Sequence, residues 1–430
     1  MNKKCTKIRI NHIFLIFVGL FFSQLLSSQN KINWNSDLDF LLFKLPEKHI
    51  NLFSQKDSLY FIKNIKNLKA TSKHKTDFDM AIGIQQLLAS LGDSHTQFDF
   101  RSLVDKKQIL PLQTYWYSDG LYVTHTVKEY AVILGSKILS FNNIPIETVV
   151  DSLSSLITVD NQANIKQAIP QYIPLLQILK YFNFTVKDEV TVSYRSSHGK
   201  EKSIIIKPTS VNKKNIAIIA PKYNPDSLAL CYKNQKDFFS ENYIAENQIY
   251  YLQYNKCWSK ELEMEFGNQK KAEQLPSFKI FEETVLKTLK ENPVKKFVFD
   301  LRLNGGGSSK QGTDFIHKLS SHFNKNPEIK IYVVIGRKTF SSAILNALDF
   351  KAMTKAIFIG EETAGKPNHF GEVRSFLLPS SKLRVTYSIK YFKRTDEDMH
   401  TLLPDVVIDT PFSDFMQGLD PVYEWIKGTL

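Results

Sequence analysis

The chain has 430 residues, too many for one ordinary domain, and its length suggests two or three. With 43% hydrophobic and 12% aromatic residues it can bury sizeable cores, which excludes an intrinsically disordered chain. The net charge of +13 is spread over lysines that stand singly and in pairs, with no basic stripe interleaved with aromatics, so the composition argues for a solvated basic surface and against a nucleic-acid partner.

The first 29 residues read as a secretory signal. Lys3, Lys4, Lys7 and Arg9 form a basic start, Ile13 to Leu26 an apolar run, and Ser27-Ser28-Gln29 a small, polar exit. The expectation is a signal peptide over 1–28 and a periplasmic or secreted mature chain. A membrane anchor is the competing reading, disfavoured because Ser23 and Gln24 interrupt a run already short for a span. No later stretch is long and apolar enough to cross a bilayer. Cys5 precedes the apolar run, so it is not placed as a lipoprotein cysteine. Cys231 and Cys257 remain; an oxidising compartment allows a disulfide, and two buried thiols are the equal alternative. The histidines are scattered and there is no CxxC, so neither a metal nor a cofactor is expected.

Residues 30–105 are expected to be helical. Phe78, Ala81, Ile84, Leu87, Leu88 and Leu91 recur at three- and four-residue steps, the stripe of an amphipathic helix ending at Gly92. The turn Asp93-Ser94-His95-Thr96 follows. From 106 to 210 the pattern changes to strands: Tyr115 to Tyr117, Leu121 to His125, Ala131 to Leu134, and a closing hairpin from Val190 to Lys207. Gly135 to Ile146, with Glu147 to Ile157 as its helix, resembles the strand–turn–strand and helix of a PDZ domain. An insertion over 158–184 departs from that pattern, leaving a peptide-binding module and a structural spacer as equal readings. Residues 211–247 are polar and lysine-rich, a linker leading into the first strand of the next domain.

The last domain, 248–430, opens with the strand Gln248–Tyr254, and Phe278 to Leu289 forms a helix. Three short apolar strands then end in polar turns: Lys296 to Asp300, Ile331 to Arg337, and Ala356 to Gly360, as buried strands of a layered α/β domain do. Chemistry in such sheets gathers where strands end and helices begin. Those ends hold Asn304-Gly-Gly-Gly307, Ser341-Ser342 before an apolar helix from Ile344 to Met353, and Lys366.

Four motifs in this order, Asp300–Gly307, Thr339–Ala343, Gly360–Lys366 and Leu403–Asp409, resemble the tail-specific (C-terminal processing) and tricorn-core serine peptidases. The resemblance implies an α/β multidomain chain: a helical N-terminal segment, a PDZ-like β-rich domain and a crotonase-like ββα superhelix carrying the catalytic serine. It makes Ser341 the candidate nucleophile; a plain helix N-cap is the bland alternative, and Ser342 the fallback. Backbone amides of Ser342 and of Gly305-Gly306 are the expected oxyanion donors, since glycine lets the backbone approach a substrate without a Cβ. Asp300, Arg302 and Asn304 are expected to hold the turn, with Arg302 buried beside a carboxylate.

Two bases stay open. Lys366 stands 25 residues after Ser341, the offset of the processing proteases' lysine, although Phe370 replaces their glutamine. His95 matches the tricorn-like branch, where Ser94 and a carboxylate, Glu397 or Asp398, would orient it. The imidazole is preferred because its ordinary pKa already suits a base near neutrality. The resemblance thus implies an exported serine peptidase acting on peptides or unfolded polypeptides. A non-catalytic ligand-binding protein on the same fold, as among retinoid-binding relatives, is the alternative. An acyl-CoA enzyme of the crotonase type is disfavoured because export removes it from its cofactor.

Overall fold

The computed structural model describes residues 31–219 and 228–429, so the proposed signal segment lies outside the described residues. Three helices open it: Trp34–Lys48, Ser58–Thr71 and Asp77–Ala89. The last starts on a capping box, in which Thr76 and Asp79 satisfy each other's backbone amides. Its apolar stripe, from Phe78 to Leu88, packs against Leu38, Leu41, Phe61 and Ile65 of the other two.

The β-rich unit contains β1 (Gln113–Tyr117), β2 (Gly120–Val127), β3 (Lys137–Phe141), β4 (Ile144–Pro145), β5 (Val190–Arg195), β6 (Glu201–Ile206) and β7 (Ile216–Ile218). They form one sheet in the order β1-β2-β3-β5-β6, with β4 on β3 and β7 on β2. The sheet therefore extends past residue 210 into the stretch read as a linker. Ala131 to Leu134, expected as a strand, lies largely within a 3-10 helix over Lys128–Ile133. Its β-branched residues yield to the need to reverse the chain between β2 and β3, and Tyr130 and Ile133 are buried by the reversal. The helix Ile146–Ser154 buries Val149, Val150 and Leu153 against this unit. The 158–184 insertion carries two helices, Gln162–Ala168 and Leu176–Tyr181.

The third unit contains β8 (Phe239–Ile244), β9 (Ile249–Tyr254), β10 (Lys296–Asp300), β11 (Lys330–Ile335), β12 (Ile357–Gly360), the hairpin β13 (His369–Leu377) and β14 (Arg384–Phe392), and β15 (Val406–Val407). The main sheet runs β15-β12-β11-β10-β9-β8, parallel except for β8. Because β9 to β12 add in one direction, successive crossovers of one hand set their helices on one face. Phe278–Glu291, Ser309–Lys325 and Ser342–Met353 share that face, burying Phe281, Phe315 and Ala347 with Phe297 and Phe299. The C-terminal helix Pro421–Gly428 covers the other with Val422 and Ile426. The 309–325 helix and the β13–β14 hairpin were not foreseen from the sequence. The hairpin leaves the main sheet, and its Leu378, Leu383, Val385 and Tyr387 join the core of the N-terminal helices. Both Cys231 and Cys257 are free, buried thiols.

Where β10 ends, Arg302 lies between two buried carboxylates, 2.9 Å from Asp300 and 2.8 Å from Asp420. This is the arrangement expected for Arg302. It ties the glycine turn to the start of the C-terminal helix, where Asp420 also accepts from the Val422 amide at 3.1 Å. Removing one member of a buried ion network leaves uncompensated charge, typically at a cost of about 3–5 kcal/mol. Arg302→Met is accordingly expected to lower unfolding free energy by that amount in urea titrations. The conservative Asp420→Asn, which keeps an acceptor for both Arg302 and the helix start, is expected to lose less.

Candidate active site

β11 ends at Ile335, and the chain turns through Gly336–Phe340 into the Ser342–Met353 helix. The Thr339 hydroxyl anchors this turn, accepting from the Gly336 amide at 3.0 Å and donating to the Leu301 carbonyl at 2.9 Å. The Phe340 amide donates to the Asn304 carbonyl at 3.1 Å. Held at both ends, Ser341 adopts φ 54°, ψ −126°, a left-handed conformation that costs a non-glycine residue about 1–3 kcal/mol. Its side chain does not cap the helix. Ser342 is different: it is buried, and its hydroxyl donates to the Gly307 carbonyl at 2.8 Å. Of the two adjacent serines, only Ser341 has a hydroxyl unengaged among the described residues.

The glycine turn packs against that serine. At Gly306, φ is +102° and an added Cβ would lie 2.9 Å from the Ser341 Cβ, so no other residue fits. The Gly306 amide, expected as an oxyanion donor, is instead occupied by the Asn304 side-chain oxygen at 2.9 Å. The reason is local: Asn304 anchors the turn through its amide group, which also donates to the Tyr254 carbonyl at 2.7 Å. The Gly305 amide and the first-turn Ser342 amide have no acceptor among the described residues.

His95 reaches this point from the N-terminal helices because residues 95–99 lie along β14. The Thr386 hydroxyl donates to the His95 carbonyl at 2.8 Å, the Thr386 amide to Gln97 at 2.9 Å, and the Asp99 amide to Arg384 at 2.9 Å. The imidazole stacks on Phe340, with ring centroids 4.9 Å apart and planes at 29°. Burial pulls its pKa below the ordinary value against opposing effects of the Asp93 carboxylate and the Phe370 carbonyl. Its buried Nδ1 lies 3.8 Å from Asp93 and has no hydrogen-bond partner among the described residues.

The carboxylate beside His95 is Asp93, not Glu397 or Asp398. Those two are exposed on a loop whose backbone is pinned by Asn368, which accepts from the Arg394 and Thr395 amides and donates to the Glu397 carbonyl. That pinning leaves their side chains in solvent, with no contact to the imidazole. Nor does the Ser94 hydroxyl hold His95; among the described residues Ser94 bonds through its carbonyl, which accepts from Gln97 at 2.7 Å. Asp93 is 4% exposed and accepts from the His49 ring (3.0 Å), Thr96 (2.6 Å), Ser388 (2.7 Å) and the His95 amide (2.9 Å). Burial alone would raise its pKa, but these donors outweigh it and hold the carboxyl at about 2.

Lys366 lies on the loop after β12. At Gly365 an added Cβ would meet Phe340 at 2.8 Å and Ile344 at 2.9 Å, so the loop presses on the Ser341 turn. The Lys366 ammonium is directed to Asp160 of the insertion, 3.7 Å away. Burial raises the Asp160 carboxyl to about 6, with Lys366 opposing the rise. Asn161 adds hydrogen bonds to the Thr363 (2.9 Å) and His400 (2.8 Å) carbonyls, making the insertion a clamp on this loop. His369 follows, stacked on His95 at 6.0 Å. Its Nδ1 lies 3.0 Å from the Lys366 carbonyl, and its Nε2 is buried without a partner among the described residues.

His49, Ser388 and His369 were missed by sequence reasoning because they stand 44 and more residues from Asp93 or His95, which they meet. Asp93 had a readable signal, an acid two residues before a histidine just past a helix.

Residues 274–408 match the family model described as peptidase family S41. The matched segment contains the glycine turn, Ser341 and Lys366, and is a serine-type peptidase unit. No curated protein matches the chain. Among solved structures, mature CPAF complexed with lactacystin is similar over 92% of this chain and 97% of that one, at 13% identity and a TM-score of 0.59. The photosystem II D1 C-terminal processing protease is similar over 88% and 94%, at 13% identity and 0.37. The tricorn protease is similar over 91% of this chain and 36% of that one, at 12% identity and 0.41. The first similarity establishes a shared fold, and the other two are too loose to argue from.

Burial, with the nearby His95, lowers the His369 pKa to about 4. Between pH 6.5 and 4 the unfolded chain therefore binds a proton at this ring that the folded chain does not. Stability falls with acid across that window, by about 3 kcal/mol in full. Asp160, raised to about 6, pulls the other way over part of the range, so the comparison that isolates the ring is with His369→Gln. Denaturant titrations from pH 7 to 4.5 are expected to show a shallower acid loss in that variant than in the parent.

Proposed function

We propose that this family S41 serine peptidase cuts extended polypeptides with Ser341 as nucleophile and His95 as base. The observation that carries the reading is the His95 ring stacked on Phe340, the residue immediately before a strained, unengaged Ser341. A base with a depressed pKa is neutral at pH 7 and ready to take a proton. Attack by Ser341 Oγ forms an Oγ–C bond to the scissile carbonyl as His95 takes the hydroxyl proton. The amides of Gly305 and Ser342 receive the oxyanion. As the C–N bond breaks, His95 returns the proton to the leaving amine. Water then attacks the acyl-enzyme, losing a proton to His95, and the acid product departs as Ser341 is reprotonated.

Asp93 positions the His95 turn, its hydrogen bonds being made to the backbone amide and to the scaffold. Lys366 serves structure in this reading: a salt-bridged ammonium has no lone pair to offer, and its partner Asp160 is part of the insertion clamp. Export completes the reading, supported by the basic, apolar and small-residue succession of residues 1–29.

Ser341→Ala is expected to abolish both hydrolysis of an unfolded protein and labelling by a fluorophosphonate, with the far-UV spectrum unchanged. His95→Ala should reduce kcat about 10²–10⁴-fold, and Lys366→Met much less. The acid limb of the kcat/KM profile should have its midpoint below 6.5, in keeping with the direction of the His95 shift. An essential Lys366 beside a dispensable His95 would reverse the assignment. For export, mass spectrometry of the protein expressed in a bacterial host with an intact secretion pathway is expected to place the mature N-terminus near Ser28 or Gln29. Full-length chain in the membrane pellet would contradict it.

A further inference from the structure

A cavity of about 460 Å³ lies between the β-rich unit and the C-terminal ends of β10, β11 and β12. It abuts the proposed reaction centre. Leu303, next to the Asn304–Gly307 turn, lines it, and so does Lys338, three residues before Ser341. Thr114, Tyr115 and Tyr117 of β1 also line it.

The charges lining this cavity are unequally compensated. Arg302 is spent on Asp300 and Asp420. Arg337 holds Glu361 through two hydrogen bonds and reaches Asp409 at 3.3 Å, so the Glu361 carboxylate that also faces the cavity is neutralised. His125 makes its ring contact to Thr124. Lys338 has no carboxylate and no hydrogen-bond partner among the described residues. Burial and the neighbouring Arg337 both press its pKa downward, the signature of a cation lacking a counter-charge. Of the residues lining the cavity, Thr114 is 5% exposed and its hydroxyl is buried with no partner among the described residues. A half-buried ammonium and a buried hydroxyl, both unsatisfied beside aromatic walls, form a site incomplete without an anionic acceptor.

We propose that this cavity is a specificity subsite for an acidic substrate side chain, Asp or Glu, flanking the scissile bond, with Lys338 pairing its carboxylate and Thr114 donating to it. Tyr115, Tyr117 and Phe415 line the same cavity and give it aromatic surface beside the charged group. The inference deepens the peptidase reading and rests on it for the position of the scissile bond. A site built for a carboxylate rejects the isosteric amide because its own polar groups are then left unpaired.

The test uses fluorescein-labelled, C-terminally amidated decapeptides that carry one Glu at successive positions in an Ala/Ser/Leu background, each beside its Gln twin. Cleavage is measured with the parent enzyme, and binding with Ser341→Ala by anisotropy. At one position the Glu peptide is expected to exceed its twin at least ten-fold in kcat/KM and in affinity. Lys338→Met is expected to remove that ratio, Lys338→Glu to shift the preference to a Lys peptide, and Thr114→Val to reduce it, with melting temperatures confirming folded protein. Equal behaviour of Glu and Gln at every position, or a ratio that survives Lys338→Met, overturns the proposal. So does a preference that appears only when the peptides carry a free C-terminal carboxylate. Should no peptide be cut, the peptidase reading fails, and the anisotropy ratio still decides the acidic subsite independently.

Discussion

One buried carboxylate holds the two halves of this site together. Asp93 stands just past an N-terminal helix, yet its acceptors are filled from His49 and Thr96 on its own side and from Ser388 on β14 of the peptidase unit. A buried charge is tolerated only when its lone pairs are met, and four donors meet these. The same carboxylate fixes the His95 amide. The position of the histidine opposite the serine is thus a consequence of how the N-terminal helices dock on the β13–β14 hairpin. Asp37 repeats the device at the far end of the hairpin, accepting from the Ser380 and Ser381 amides at 2.7 and 2.9 Å.

The serine side is held by neutral hydrogen bonds. Thr339 joins the ends of β10 and β11, and Asn304 joins the glycine turn to Phe340 and Tyr254. Each such bond contributes on the order of 1 kcal/mol net, so together they can hold Ser341 in a conformation costing about 1–3 kcal/mol. The strain turns the serine's hydroxyl away from the capping role usual at a helix start. Arg302, Asp300 and Asp420 then brace this turn from below, against the C-terminal helix.

The β-rich unit and its insertion are fastened to the peptidase unit by polar contacts around the same strand ends. Arg337 donates to the Trp116 carbonyl of β1 and binds Glu361. Asn161 and Asp160 grip the 361–366 loop. Contacts of this kind specify geometry at little net gain in stability, since each ion has been desolvated to make them. They leave between the units a cavity lined by the paired Arg302, Arg337 and Glu361 and by Lys338 and Thr114, whose side chains have no partner among the described residues.

Much was legible in the sequence because it depended on local pattern. The 77–89 helix showed in its stripe, β10 and β12 in their apolar runs, and the serine and glycine turns in the residue types that strand ends require. The order of four motifs identified the peptidase. Ala131–Leu134 misled because β-branched residues also serve a reversal when tertiary packing buries them. The carboxylate near His95 was sought at Glu397 and Asp398, and Asp93 stands there instead, bonded to the His95 amide and not to its ring, because the backbone pinning by Asn368 carries no sequence signal. Likewise Gly306 looked free to donate until the Asn304 side chain was seen to occupy its amide. The sequence by itself determined which elements form and which residue types line the strand ends, since periodicity and turn chemistry act over a few residues. Only the tertiary structure decided which of two serines keeps a free hydroxyl, what holds the carboxylate near the histidine and which charged groups lining the cavity are paired, because those contacts join distant residues, Ser388 and Asp93 across 295 positions, and depend on what burial leaves unpaired.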